Sequence, residues 1–146
     1  MEIRKATLED LEGIHQVESN AFNDPWSQQA FKDELSNPIT TYFVAEQDKE
    51  VVGFVGMWEV MGEGQITNVA VHTKERKKGI GKALIEKLIH YSKEKNLDIL
   101  LLEVRISNAP ARALYTLKGF EEIGKRKNYY TKPTEDAILM ALTLQA

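Results

Sequence analysis

Apolar positions along the chain change period several times, and each change marks an element. Residues 2–6 predict a short first strand. Thr7 then opens a helix: Thr7-Leu-Glu-Asp10 is like a capping box with the shorter Asp in place of Glu. Leu8, Leu11, Ile14 and Val17 follow at helical spacing. Asn23-Asp-Pro-Trp-Ser27 breaks that helix, and Ser27 can cap a second that stops before Asn37-Pro38. Residues 41–47 and 51–60 predict a hairpin about Asp48-Lys49, its second strand continuous and buried. Gly62-Glu-Gly64 turns the chain into a strand that ends Ile66-Thr-Asn-Val-Ala-Val71.

The longest helix is expected at 79–95, with Ile80, Leu84, Leu88 and Tyr91 on one face. Residues 99–106 form the most hydrophobic strand. A helix at 109–118 and strands at 121–129 and 137–144 complete the order. Strand–helix–strand over 66–106 is a βαβ unit, so its two strands should be parallel. Flanking hairpins make the rest of the sheet largely antiparallel, which gives a mixed α/β sheet and not a doubly wound one. No repeat or linker divides the chain, so a single domain over 1–146 is expected.

Composition narrows the chemistry. The chain is 42% hydrophobic and 28% charged, which argues against disordered, collagen-like and membrane classes. No apolar run approaches the ~18–20 residues of a membrane span, and the first residues are not a signal peptide. Zero Cys removes disulfides, zinc–thiolate sites and thiol nucleophiles, and a cytoplasmic location is the preferred reading. The net charge of −3 conceals an asymmetry. Residues 1–68 carry 4 Lys/Arg against 13 Asp/Glu, a balance of −9; residues 69–146 carry 15 against 9, a balance of +6. That split invites an anionic partner for the second half and a cationic one for the first; scattered surface charge is the alternative.

Arg76-Lys77-Lys78-Gly79-Ile80-Gly81-Lys82 lies between a buried strand and an amphipathic helix. Backbone N–H groups and the helix dipole make an anion site there. Two glycines let the backbone approach a phosphate, and four cations surround it. Cations at a helix N-terminus oppose the dipole, so the arrangement favours an anion such as a pyrophosphate. A Walker loop does not fit, because Arg76 stands at its first glycine position and Ala83 follows Lys82. A dinucleotide fingerprint does not fit either, since Leu84 replaces the third glycine. An unliganded basic turn or a nucleic-acid patch is the alternative, the latter weakened by the lack of interleaved aromatics.

Val69-Ala-Val71 with Arg76-x-x-Gly79-x-Gly81 resembles the acetyl-coenzyme A signature of the GNAT N-acetyltransferases. Asn108-x-x-Ala111-x-x-Leu114-Tyr115-x-x-x-Gly119-Phe120 is similar to that family's second diagnostic stretch. Pro25-Trp-Ser27, Leu102-Glu-Val-Arg105, Ser107-Asn108, Arg126-x-Asn128-Tyr-Tyr130, Glu135-Asp-Ala-Ile138 and Met140-Ala-Leu142 look like the RimI-type ribosomal-protein-alanine N-acetyltransferases. The resemblance covers nearly the whole chain, though only loosely over its first 20 residues. It implies the α/β GNAT fold: a mixed, mostly antiparallel sheet with one central parallel strand pair and helices on both faces. Acetyl-CoA would be the acetyl donor, bound by Val69, Ala70, Val71, Arg76, Lys77, Lys78, Gly79, Ile80, Gly81, Lys82 and Asn108. The partner would be a protein N-terminus, that of a ribosomal protein, with no metal, nucleic acid or membrane. Oligomeric state is not indicated. Lys77-Lys78 departs from the family's commoner Arg; charge is kept and bidentate geometry is lost.

The resemblance also implies that Glu103 is the proton acceptor and Tyr115 the proton donor to the coenzyme's sulfur. Alternation puts Glu103 on the face of Ile99, Leu101 and Arg105. Desolvation there would suit a base, while an ion pair with Arg105 would work against one. Tyr115 alone would be read as a core aromatic. Trp26, Tyr129 and Tyr130 are candidates to flank a peptide slot, with core packing the alternative. Without Cys no acetyl-cysteine can form, so direct attack by a neutral amine is expected. A peptide α-amine, with a pKa near ~7.7–8.0 against ~10.4 for lysine, asks less of its base. Backbone N–H near Val71 could receive the developing oxyanion. His15, His72 and His90 show no metal-ligand spacing. Acetylation of lysine or small amines, or a non-enzymatic acyl-CoA sensor, are the competing functions.

Overall fold

The computed structural model describes residues 1–144; the last two residues of the expected domain lie outside the described residues. The strands are β1 (Glu2–Lys5), β2 (Thr40–Gln47), β3 (Glu50–Val60), β4 (Glu63–Val71), β5 (Ile99–Arg105), β6 (Glu121–Tyr130) and β7 (Glu135–Thr143). The helices are α1 (Leu11–Ala21), α2 (Gln28–Ser36), α3 (Ile80–Glu94) and α4 (Ala109–Leu117). One seven-stranded sheet runs in the order β1-β2-β3-β4-β5-β7-β6. Only β4 and β5 pair in parallel; the other pairs are antiparallel.

Period-2 alternation builds two cores, one on each face. Phe43 and Ala45 of β2 face Ile80, Leu84, Ile85 and Leu88 of α3. Their neighbours Tyr42 and Val44 face Ile14 and Val17 of α1 and Phe31 of α2. Burying each such large side chain contributes about 1.5–3 kcal/mol, so both helical layers are held by the pattern read in the sequence. Leu8 departs from it. A short 3-10 turn, Leu8–Asp10, precedes α1 and leaves Leu8 55% exposed, off the buried stripe. Asp10 nevertheless accepts from the Thr7 N–H at 2.8 Å, as the capping-box spacing predicts.

Turn chemistry sets the hairpins. Asp48 and Lys49 both take positive φ (50° and 66°), as a tight two-residue hairpin requires. The next hairpin turns on Met61 and Gly62 (φ 51° and 84°), so Gly64 lies inside β4 and not in the turn as expected. β7 begins at Glu135, two residues before the expected strand.

The central strands part midway along the sheet. β4 and β5 pair only at Glu63↔Ile99, Gly64↔Leu100 and Gln65↔Leu101. Beyond Gln65 no ladder joins them, although β4 continues to Val71 along β3 and β5 to Arg105 along β7. The backbone edge of β4 over residues 66–71 that faces β5 therefore has no strand partner. Within this stretch Gly56 pairs with Asn68 but Met57 with Ile66, so Thr67 is an inserted bulge residue. The insertion reverses the alternation: Ile66, Val69 and Val71 serve the α3 core, Ala70 the α1 core.

Candidate active site

The turn after β4 was expected to cradle a phosphate, and its backbone has that form. Gly79 sits at φ 81° as the N-cap of α3, and no side chain caps the helix. The first-turn N–H groups of Ile80, Gly81 and Lys82 thus lack intrahelical acceptors. No acidic residue lies in that turn. A Cβ built on Gly79 would meet nothing within 4 Å, so the space before the helix end is open. One on Gly81 would stand 3.8 Å from both Val71 and Leu114, between the end of β4 and α4. Lys78 is held by Glu75 at 2.8 Å, while Lys77 and Lys82 make no ion pair among the described residues. Arg76 Nε points to the Val71 carbonyl at 3.5 Å. Across the split, Asn108 caps α4 by accepting from the Ala111 N–H at 3.2 Å.

These parts fit acetyl-coenzyme A. A polar strand edge without a partner meets an uncapped, cation-flanked helix start, which suits an amide-bearing arm ending in a pyrophosphate. Gly81 sits where the end of β4, the glycine turn and α4 meet, and Asn108 caps that last helix.

Glu103 stands on β5 two residues past its last pair with β4. Its Oε2 is buried with no hydrogen-bond partner, and its Oε1 lies 3.8 Å from Arg126 Nε. The expected alternative, a pair with Arg105, is not formed. Arg105 instead donates to the carbonyls of Thr131 and Pro133, each at 3.0 Å, and to Glu135 at 3.1 Å. Its guanidinium lies 4.5 Å from the centre of the Tyr130 ring. The separate motifs Leu102-Glu-Val-Arg105, Asn-Tyr-Tyr and Glu135-Asp are thereby pieces of one clamp. Glu135 also accepts from the Ser107 N–H at 2.6 Å, and Asp136 from the Asn128 N–H at 2.8 Å.

Two tyrosines, Tyr129 and Tyr130, lie close to the carboxylate, and a third, Tyr115, lies near Tyr130. Glu103 is the main influence raising the Tyr129 pKa, with desolvation second, though no hydrogen bond of normal length joins the two side chains. Burial pushes Tyr130 up to about 12, with Glu103, Tyr129 and Tyr115 adding to the rise and Arg105 opposing it. Tyr130 thus has all four groups about it. Tyr115 on α4 is 7% exposed, packs on Phe120 at 5.7 Å, and is pushed up to about 12 by burial alone.

Two segments face each other beside this cluster. One is the α1–α2 loop, residues 22–27; the other is the β6–β7 turn, residues 131–134. Lys132 Nζ lies 3.8 Å from Asp24 Oδ2 and links them. Tyr129 is half exposed, as a slot residue would be, but the Trp26 ring packs on Phe31 at 5.3 Å and belongs to the α1–α2 core. Sequence reasoning did not single out Glu18, a buried carboxylate behind that loop. The signal available was a Glu directly after Val17 on the buried stripe.

Two concavities lie elsewhere. One of about 470 Å³ gathers Glu9, Glu12, Glu46, Glu50 and Glu75; another of about 490 Å³ flanks α4 at Arg112, Leu117 and Glu122. Neither is lined by Glu103, Tyr115 or the glycine turn. Among the described residues no group of three or more His, Asp or Glu is placed to hold a metal ion, and no helix is long and apolar enough to cross a membrane.

A split mixed sheet, with an uncapped glycine turn on one side and a carboxylate–tyrosine cluster on the other, defines an acyl-CoA-dependent acetyltransferase. Residues 9–120 match the model of the acetyltransferase (GNAT) family, and the chain belongs to that family. Among relatives, a Bacillus subtilis (strain 168) protein, provisionally named ribosomal protein bS18-alanine N-acetyltransferase, is 40% identical over 143 residues, 97% of this chain and 95% of its own. The ribosomal protein bS18-alanine N-acetyltransferase of Escherichia coli (strain K12) is 38% identical over 139 residues, 92% of each chain. A crystal structure of the Escherichia coli enzyme superposes with a TM-score of 0.94 at 35% identity, covering 99% of this chain and 94% of that one.

Proposed function

We propose that this chain acetylates the N-terminal α-amine of a protein, the alanine of ribosomal protein bS18, in the cytoplasm, and that it folds as one domain for the purpose. The observation that carries the mechanism is the unpartnered Oε2 of Glu103 at the mouth of the β4–β5 split. Bound acetyl-coenzyme A supplies an acetyl group as a thioester open to attack by an amine. Val69 to Val71 and the Arg76–Lys82 turn, with Asn108 opposite, hold it. Backbone N–H at the free edge of β4, near Val71, is available to the carbonyl oxygen as its charge grows.

Glu103 takes the proton of the incoming amine, directly or through a water, at Oε2. An α-amine is partly neutral at pH 7, so a carboxylate suffices where lysine would demand more. Tyr115 then donates from its hydroxyl toward the leaving sulfur. Its burial keeps the phenol protonated throughout the assay range and makes it a weak acid, so its contribution is a hydrogen bond that strengthens as the sulfur becomes anionic. Arg126 Nε stands 3.8 Å from Oε1 as a counter-charge and leaves Oε2 unoccupied.

The test supplies acetyl-CoA with peptides beginning Ala, Ser or Met and with a blocked peptide containing Lys, and locates the acetyl group by mass spectrometry. Acetylation of the α-amine is expected, with the Ala peptide preferred. Glu103→Gln and Tyr115→Phe should each lower kcat by about 10²–10³-fold. Unaltered turnover in both variants refutes the mechanism; acetyl found only on lysine refutes the substrate.

A further inference from the structure

Glu18 is the buried titratable group that this chemistry does not use. It lies on α1 and is only 2% exposed, yet no salt bridge among the described residues neutralises it. Carboxylates are almost never buried so fully without a partner. Its two oxygens are instead taken by two donors from different parts of the chain. Oε2 accepts from the Trp26 backbone N–H at 3.1 Å, and Oε1 from Asn68 Nδ2 at 2.9 Å. Desolvation leaves its pKa raised on balance, against the opposing hydrogen bonds from Trp26 and Asn68.

The two tethered segments are unequal. Asn68 belongs to β4, which the β3 ladder fixes through Gly56↔Asn68 and Val55↔Val69. The Thr67 bulge puts Asn68 in step with Ala70, whose side faces α1, and so within reach of Glu18. Trp26 belongs to the α1–α2 loop, which no strand ladder supports. The loop's ends are held by the Phe22 N–H to the Glu18 carbonyl at 3.0 Å and the Ser27 cap on the Ala30 N–H at 3.1 Å; between them stand the Trp26–Phe31 ring contact and the exposed Lys132–Asp24 pair.

We propose that Glu18 is a positioning residue: its carboxylate clasps the α1–α2 loop to β4 and so sets the wall against which the substrate's N-terminus lies. The inference rests on the reading of that loop as one side of the peptide slot. A glutamine of the same shape removes the negative charge that strengthens both hydrogen bonds, so both tethers weaken. The rigid strand stays; the loop samples other arrangements, and apparent peptide affinity falls by the fraction of time it spends away.

Glu18→Gln should raise the peptide KM about ten-fold while the acetyl-CoA KM stays within about two-fold. Asn68→Ser, which keeps the Trp26 tether, should raise the same constant less. In a Trp58→Phe background Trp26 is the sole indole, since the chain has two Trp residues. There, Glu18→Gln should red-shift its emission and increase acrylamide quenching. An unchanged peptide KM, or equal rises in both KM values, overturns the proposal. If the Gln variant does not fold, Asn68→Ser decides by the same KM split. If wild type acetylates no α-amine, the functional reading fails on its own, and the fluorescence decides the clasp: unchanged emission and quenching refute it.

Discussion

Arg105→Lys isolates the clamp that shapes the β6–β7 turn. Arg105 makes three hydrogen bonds to that turn and its flank, and stacks on Tyr130. A lysine keeps the charge but reaches one acceptor at a time and cannot stack as a plane. The orphaned Thr131 and Pro133 carbonyls are exposed enough to find water, so each lost bond is worth the low end of its range. Two such bonds at about 0.5 kcal/mol each and the stacking at about 0.5–1 kcal/mol sum to roughly 1.5–2 kcal/mol. For a chain of this length that lowers Tm by roughly 4–8 °C. The peptide KM should rise with the loosened turn while the acetyl-CoA KM does not, because β4 and the glycine turn are untouched. Scanning calorimetry and steady-state kinetics with each substrate varied in turn give both quantities. A Tm within 1 °C of wild type, or a rise confined to the acetyl-CoA KM, would refute the reasoning.

Gly79→Ala should cost about 1–2 kcal/mol of stability, because φ 81° is left-handed, and nothing blocks the methyl group sterically. The acetyl-CoA KM should rise more than the peptide KM; equal changes would remove the turn from coenzyme binding. On acidification, Asp10 and Glu135 should each withdraw stability. Arg4 holds the Asp10 carboxyl below its ordinary range, and hydrogen bonds from Ser107 do the same for Glu135. Both contribute fully above their unfolded values of ~3.9 and ~4.3, and that contribution is lost as pH falls through the lowered folded values. Tm measured from pH 6 to pH 3 should fall, and Asp10→Asn should flatten the slope; an unchanged slope would exclude Asp10.

Much of this was legible because local pattern and local chemistry agree. The βαβ unit, the capped start of α4 and the left-handed Gly119 (φ 99°) follow from neighbours in sequence. The partner of Arg105 did not, because alternation assigns a face and not a contact, and Glu135 lies thirty residues away. The Thr67 bulge was illegible too: one inserted residue flips Asn68 to the α1 face, and nothing in Ile-Thr-Asn-Val announces it. Trp26 shows the reverse case, an aromatic whose ring serves the core while its backbone N–H meets Glu18. Family resemblance named the proposed proton acceptor and donor, Glu103 and Tyr115; the clasp proposed behind the loop needed the tertiary structure.

The parting of β4 from β5 after three paired positions has a consequence for the lifetime of the molecule. Six residues of central backbone face an opening where a sheet would ordinarily knit them together, and in the proposed binding mode acetyl-CoA supplies the partner that this edge lacks. A ligand present at 100 times its Kd adds about 2.7 kcal/mol to the folded state. Resistance to proteolysis should therefore track the acetyl-CoA concentration, and a cell short of acetyl groups would hold less of the enzyme that spends them.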